Sequence, residues 1–453
     1  MEILLELLPL LMLIGLMVFV ILGYPVAFSI GAVALVFALL GELLGVRDNF
    51  MQFTFGNLAL RIWGNVIDNF ILVAVPLFVY MGVMLERSGL ADDLLEALAF
   101  VMRKVPGSLA ISVIAMGAVL AASTGIIGAT VVTMTVLALP VMLHHNYSKR
   151  LATGVICASG TLGQIIPPSI VLLLLASISN LQQVNVGSLF FAAAIPGVML
   201  AVLYMVYTYF FALKNPDKAP AISMSEKAYT TSQLLLRVTK ALFPPLLLML
   251  GVLGSIFFGI ASPTEAAGVG AFLAMALAAV QRKLTWTVLR DVMQTTVRFT
   301  SMVFIILVGA QAFGVVFRGL RGDHMIREFF LNLNADVWVI LAIVMVALFI
   351  LGFFLDFIEI TFIHVPILLP IMFELGVDPL WFMVLVAINL QTSFLTPPFG
   401  FALFYLKGAA PPEVELSHVY KGIIPFVIIQ LIGLGLVILF PQLATWLPTH
   451  IKF

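Results

Sequence analysis

Apolar stretches of about twenty residues recur from one end of this chain to the other, and no other feature limits its folds as strongly. Each is long enough to cross ~30 Å of hydrocarbon as a helix. Lipid offers no water to the backbone, so every N–H and C=O must be satisfied within the chain, and a helix does this locally. Composition agrees. Of 453 residues, 62% are hydrophobic and only 10% charged, with a mean hydropathy of +1.18, whereas a soluble domain carries roughly 25% charged residues. The expected fold is an all-α polytopic membrane protein. A net charge of zero argues against a nucleic-acid partner. The single cysteine, Cys157, lies in an apolar run, which leaves no intramolecular disulfide and no thiolate metal cluster.

Runs bounded by charge or by Pro and Gly predict about ten crossings, near 3–22, 26–45, 64–86, 151–178, 189–212, 241–260, 264–281, 299–317, 381–405 and 423–440. Two further stretches, 108–142 and 337–373, are each long enough for two short helices and hold polar residues at their middles, as re-entrant hairpins would. The opening segment carries Glu2 and Glu6 rather than basic residues, and no A-x-A cleavage pattern follows it. It reads as the first membrane helix, not a signal peptide. With the N-terminus outside, the inside loops 87–107, 143–150, 213–240, 281–299 and 406–422 hold 16 Lys and Arg against 6 elsewhere. That bias fits the positive-inside rule.

The halves repeat. LPVM at 139–142 matches LPIM at 369–372, and Pro167-Pro168 matches Pro397-Pro398, both at an offset of 230. GVMLERSG at 82–89 resembles GVVFRGLRG at 314–322, at an offset of 232. Under the topology above, each pair runs in opposite directions through the membrane, which makes the repeat inverted. The first unit is 1–212: scaffold helices 1–86, an amphipathic arm 90–105, a hairpin 108–142 and a broken helix 151–178. A cytoplasmic linker, 213–240, leads to the second unit, 241–453: scaffold 241–317, arm 320–336, hairpin 337–373 and broken helix 381–405.

Each half pairs a polar hairpin tip with a broken helix: AASTGIIGAT (121–130) with SGTLGQIIPPS (159–169), and FLDFIEIT (354–361) with NLQTSFLTPP (389–398). Proline removes a donor and clashes with the preceding turn, so these breaks expose carbonyls. Exposed carbonyls at membrane depth are tolerable where they line a cavity or meet a cation. Na⁺ is a hard cation that takes oxygen ligands, as Ca²⁺ and Mg²⁺ do. The candidate ion- and substrate-binding residues are Ser123, Thr124, Gly125, Thr130, Ser159, Gly160, Thr161, Gly163 and Pro167 in the first half. In the second they are Asp356, Glu359, Thr361, Asn389, Gln391, Thr392, Thr396 and Pro397. Na⁺ sites are expected among Ser123, Gly125, Thr161, Gly163, Asp356, Gln391, Thr392 and Thr396. Helix N-termini at the breaks suit an anionic substrate.

Kinks with small-residue packing and Ser/Thr back-bonding would give a single such segment a purely structural role. Four segments in two matched pairs weigh against that. Asp356 and Glu359 are the only carboxylates between Asp336 and Glu374. A charge there costs about 2.5–3.5 kcal/mol on insertion scales and marks function by default. His364 reads as a packing or hydrogen-bonding group, and His144 and His145 as a solvated loop face. No GxxxxGK[ST] loop, HExxH helix or GxSxG elbow is present, which argues against ATP-driven pumping by this chain.

STGIIGATVVTM, LPVM and ASGTLGQIIPPSI, with FLDFIEITFIHVPILLPIM and NLQTSFLTPPFGFALFYLKG, resemble the large membrane subunit of tripartite ATP-independent periplasmic (TRAP) transporters. The resemblance covers nearly the whole chain, although the first hairpin tip has Thr124, Gly125 and two isoleucines where the family usually has small Ser and Ala. The DFIEI stretch is similar to the branch handling small 2-oxo or 2-hydroxy acids. The resemblance implies an elevator-type transporter of the wider ion transporter superfamily, with two re-entrant hairpins and two unwound helices in a mobile domain. It implies two partners, a small four-helix membrane subunit and a periplasmic substrate-binding protein. The repeat begins almost at residue 1, so the small subunit is expected to be a separate chain. The implied function is Na⁺-coupled import of a small organic anion, a carboxylate, across a bacterial or archaeal inner membrane, with Na⁺ as coupling ion and no cofactor. A passive anion channel is the alternative. A membrane enzyme is the weaker one, since only Asp356, Glu359 and His364 are candidates for chemistry.

Overall fold

The computed structural model describes residues 2–103, 105–124, 127–179, 184–221, 231–398 and 400–451. Among these the ordered elements are helices, with no strand. Eight helical segments are long and apolar enough to cross a membrane: Val26–Leu43, Phe70–Arg87, Ile127–His144, Val186–Lys214, Pro263–Val280, Trp286–Gly319, Phe357–Glu374 and Leu416–Leu439. Shorter apolar helices, Leu5–Ile21, Ser108–Leu120, Leu242–Phe257, Val337–Leu351 and Pro379–Leu395, complete the set. Large apolar side chains such as Phe28, Phe272 and Leu250 stand exposed on the outer helices, where a bilayer would cover them.

Several boundaries differ from the sequence expectation. The segment 281–299, expected as an inside loop, is mostly helix. Trp286–Gly319 is one element of 34 residues, capped by Thr285 Oγ1, which accepts from the Val288 N–H at 3.2 Å. Arg290, Asp291 and Arg298 interrupt the apolar run without breaking the helix, because charge costs helix propensity little. Asp291 pairs at 2.8 Å with Arg87, at the end of the helix Ala74–Arg87. The start of the expected 64–86 crossing is a π turn, Trp63–Ile67, and a 3₁₀ turn, Phe70–Val73, capped by the Asn69 side chain. Helices also enter both ends of the 213–240 segment, as Val186–Lys214 and Thr231–Phe257. A C-terminal helix, Gln442–His450, is an addition.

The 230-residue offset is visible in the backbone. Asn146 and Gly376 both take left-handed conformations, at φ 59° and 84°. Two residues on, Ser148 caps Lys149–Thr161 by accepting from Leu151 N–H, and Asp378 caps Pro379–Leu395 by accepting from Trp381 N–H. Both Pro-Pro bonds are cis. Gly89 and Arg321, 232 apart, are each left-handed just before an amphipathic helix, Leu90–Val101 and Gly322–Asn332.

Lys149–Thr161 lies at the centre, buried from Leu151 onward and packed against Ser108–Thr124, Ile127–His144 and Leu416–Leu439. Glycine allows this. A Cβ on Gly154 would stand 2.2 Å from the Gly422 carbonyl oxygen, and one on Gly422 2.1 Å from that of Arg150. Gly160 similarly admits Val131, whose Cγ2 lies 2.4 Å from the missing Cβ.

Candidate functional site

The first broken helix ends at Thr161 and passes through a 3₁₀ turn, Leu162–Gln164, before Ile170–Ser177 resumes. The Ile165 and Ile166 N–H groups both donate to Leu162 O, at 3.1 and 2.9 Å. Pro167 and Pro168 have no N–H to offer. Ser169 closes the break: its hydroxyl donates to Gln164 O at 2.7 Å and accepts from Leu172 N–H at 3.4 Å. Gln164, wholly buried, has no partner at either amide atom.

In the second broken helix, Pro379–Leu395 is buried throughout, while Pro397 and Pro398 beyond it are exposed. The first break, by contrast, is sealed around Pro167. Asn389 donates to Met345 O at 2.7 Å and ties this helix to Val337–Leu351. Thr392 and Thr396 donate to Ile388 O and Thr392 O, each at 2.8 Å. Ser159 donates to Val155 O at 2.6 Å, and Thr161 to Ala158 O at 2.9 Å. Back-bonding spends the hydrogen of each hydroxyl and leaves oxygen lone pairs to accept from a donor or meet a cation. The two breaks meet where the Gln391 amide donates to Thr161 Oγ1 at 3.5 Å, and Gln391 Oε1 remains unpartnered.

The second hairpin turns at Gly352–Leu355, and Asp356 caps the returning leg by accepting from Phe357 N–H at 2.7 Å. Gly352 is required here, since a Cβ would stand 2.2 Å from Ser393 Oγ. One α turn, Phe357–Glu359, runs into a π segment, Ile360–His364, and then Val365–Glu374. Glu359 Oε2, Thr361 Oγ1 and His364 Nδ1 are enclosed without partners. In the first hairpin, Gly125 lies outside the described residues, as do the side chains of Ser123 and Thr124. Thr130 is buried on the leg beyond.

A cavity of about 380 Å³ joins these parts, a size suited to a small ligand. Asp356 and Phe357 line it from the second hairpin, Ile127 and Gly128 from the first, and Phe394, Phe401 and Tyr405 from the second broken helix. Its fourth wall is the long helix Trp286–Gly319, which contributes Thr295 and Arg298. Arg298 makes no ion pair among the described residues. Sequence reasoning missed Arg298, Thr295 and Tyr405, because 281–299 read as a loop and Tyr405 as the end of an apolar run. Of the expected set, the cavity takes Asp356; Thr161 and Gln391 meet each other outside its lining, and Glu359 and Thr361 are buried without lining it. Among the described residues, no three His, Cys, Asp or Glu side chains converge as a transition-metal site would require.

A solved structure, the YdaH transporter of Alcanivorax borkumensis, superposes with a TM-score of 0.66 over 95% of this chain and all of that one. At 14% identity the likeness is one of fold. The sialic acid TRAP transporter large permease SiaM of Vibrio cholerae is 29% identical over 94% of this chain and 95% of its own. The C4-dicarboxylate TRAP transporter large permease DctM of Pseudomonas aeruginosa is 30% identical over 84% of this chain and 87% of its own. The sequence profile of the family described as the tripartite ATP-independent periplasmic transporter, DctM component, matches residues 13–443. This multi-pass membrane chain therefore belongs to the DctM family, the large permease component of TRAP transporters, and is a transporter subunit rather than an enzyme.

Proposed function

We propose that the chain imports a small organic carboxylate across a bacterial inner membrane by Na⁺ symport, in an elevator cycle that moves both hairpins and broken helices together. A periplasmic binding protein delivers the substrate, and a small membrane subunit braces the scaffold helices. The observation that carries this reading is the 380 Å³ cavity, which sets the unpaired Arg298 and Asp356 on different walls. An arginine fork matches a carboxylate bidentately. Asp356 is a hard anionic oxygen donor of the kind a coupling cation takes. Bound Na⁺ neutralises it, so that an anion can enter the same cavity without like-charge repulsion. Unpartnered Gln391 Oε1 beside Thr161 supports a second cation position between the breaks. The relatives' names support the substrate class, since sialic acid and C4-dicarboxylates are both carboxylate anions.

Uptake into proteoliposomes containing both partners tests the reading. An inward Na⁺ gradient should drive accumulation of the carboxylate that the cognate binding protein retains. Accumulation of equal size without Na⁺, or non-saturating flux without the binding protein, would reject symport and favour a channel.

A further inference from the structure

A second, larger cavity of about 640 Å³ has charged walls of one sign. Lys149, Arg150, Lys218 and Lys421 line it together with His418, and the lining holds no carboxylate. Its basic residues come from 143–150, 213–240 and 406–422, three segments that the Lys/Arg bias assigns to the cytoplasmic face.

The fold forces these charges together. The Gly154–Gly422 backbone approach draws Arg150 alongside the turn that carries Lys421. Lys218 is held by its own carbonyl, which accepts from Ser148 N–H at 2.9 Å, while the neighbouring Pro220 carbonyl accepts from the Tyr147 hydroxyl at 2.8 Å. Lys149 donates to Glu413 O at 2.8 Å, a carbonyl that leaves its charge unneutralised. Arg150, Lys218 and Lys421 make no ion pair among the described residues. His418 Nδ1 accepts from Glu415 N–H at 3.1 Å, which leaves Nε2 to carry a donor hydrogen. The cavity also opens on the first turn of Lys149–Thr161, where the helix dipole favours an anion. Like charges held this close repel unless an anion sits between them.

We propose that this cavity binds a phosphate-bearing anion, seated as the headgroup of an acidic phospholipid. Two observations favour lipid over a soluble phosphate. Tyr207, Phe211 and Pro425 form an apolar side of the same cavity. Their two helices continue into exposed apolar rows, Val206, Phe210 and Leu213 on one and Ile424 and Ile428 on the other, where acyl chains can lie beside a bound headgroup. Basic pockets between helices on the cytoplasmic side suit acidic headgroups for this reason. Neither the residues nor the test depend on the transport reading.

The full-length purified protein is offered phosphatidylglycerol and phosphatidylcholine of matched chains in equal amounts, and retained lipid is read by native mass spectrometry. Wild type should retain phosphatidylglycerol preferentially, and excess inorganic phosphate should leave it in place. The combined variant Arg150→Gln, Lys218→Gln, Lys421→Gln should lose about fivefold in preference for each cation removed. Lys214→Gln, a nearby lysine outside the cavity, should retain it, with thermal unfolding confirming that all variants fold. An unchanged preference in the triple variant, or equal loss in Lys214→Gln, would overturn the site. Displacement by inorganic phosphate would overturn the lipid assignment.

Discussion

The Gln391 amide donates to the Thr161 hydroxyl at 3.5 Å, and the two residues are 230 positions apart. That is also the offset separating the LPVM and LPIM segments, the two Pro-Pro pairs and the Ser148 and Asp378 caps. Each residue is thus the other's counterpart. Counterparts related by a two-fold axis can touch only close to it, so in the proposed inverted repeat this contact would set the axis between the broken helices.

The contact should be energetically measurable and small. A double-mutant cycle of Thr161→Val and Gln391→Leu is expected to show coupling of about 0.5 kcal/mol, as befits a long neutral hydrogen bond. Thermal unfolding in detergent reads the stability cycle. In the proposed symport, each single variant also raises the Na⁺ concentration for half-maximal uptake.

Arg298→Gln is expected to raise KM for the carboxylate roughly tenfold to a hundredfold, with Arg298→Lys between it and wild type. Equal KM values in all three proteins would remove Arg298 from substrate recognition. The Na⁺ dependence of uptake should be the same in all three, since the proposed symport assigns the cation's carboxylate to Asp356.

The two paired caps make an internal control. Ser148→Ala and Asp378→Ala should each cost about 1 kcal/mol, and the double variant about the sum, because each cap serves a different helix. Thermal shifts of the three variants test this.

Glycines divide by what faces them. Gly154→Ala drives a methyl into the Gly422 carbonyl and should destabilise by about 1–3 kcal/mol or prevent folding. Gly408→Ala, with nothing within 4 Å and a helical backbone, should be neutral or stabilising by up to about 1 kcal/mol.

Much of the molecule was legible in the sequence because its rules act locally. The Pro167-Pro168 and Pro397-Pro398 pairs marked the two breaks, although Pro244-Pro245 stays within the helix Thr231–Phe257, and apolar length announced crossings. The errors came where tertiary surroundings decide. Arg290, Asp291 and Arg298 looked like a loop because an apolar count cannot distinguish an interruption in hydropathy from one in the helix. The packing of Ser159 was equally invisible: its hydrogen goes to Val155 O and its Cβ lies 2.6 Å from where a Cβ on Gly117 would stand, while its oxygen keeps lone pairs for a ligand. The crossing at Gly154 and Gly422 joins segments more than 260 residues apart, and no local pattern announces it.

Arg298 stands on a helix of 34 residues, about 51 Å long, whereas Asp356 rides on a hairpin. In the proposed elevator cycle, a cargo carried by the hairpins leaves the guanidinium behind. The attraction then exists at one end of the stroke and is absent at the other. In that cycle, loading and unloading would be made unequal by which wall moves, and the hold on the anion would weaken simply with travel.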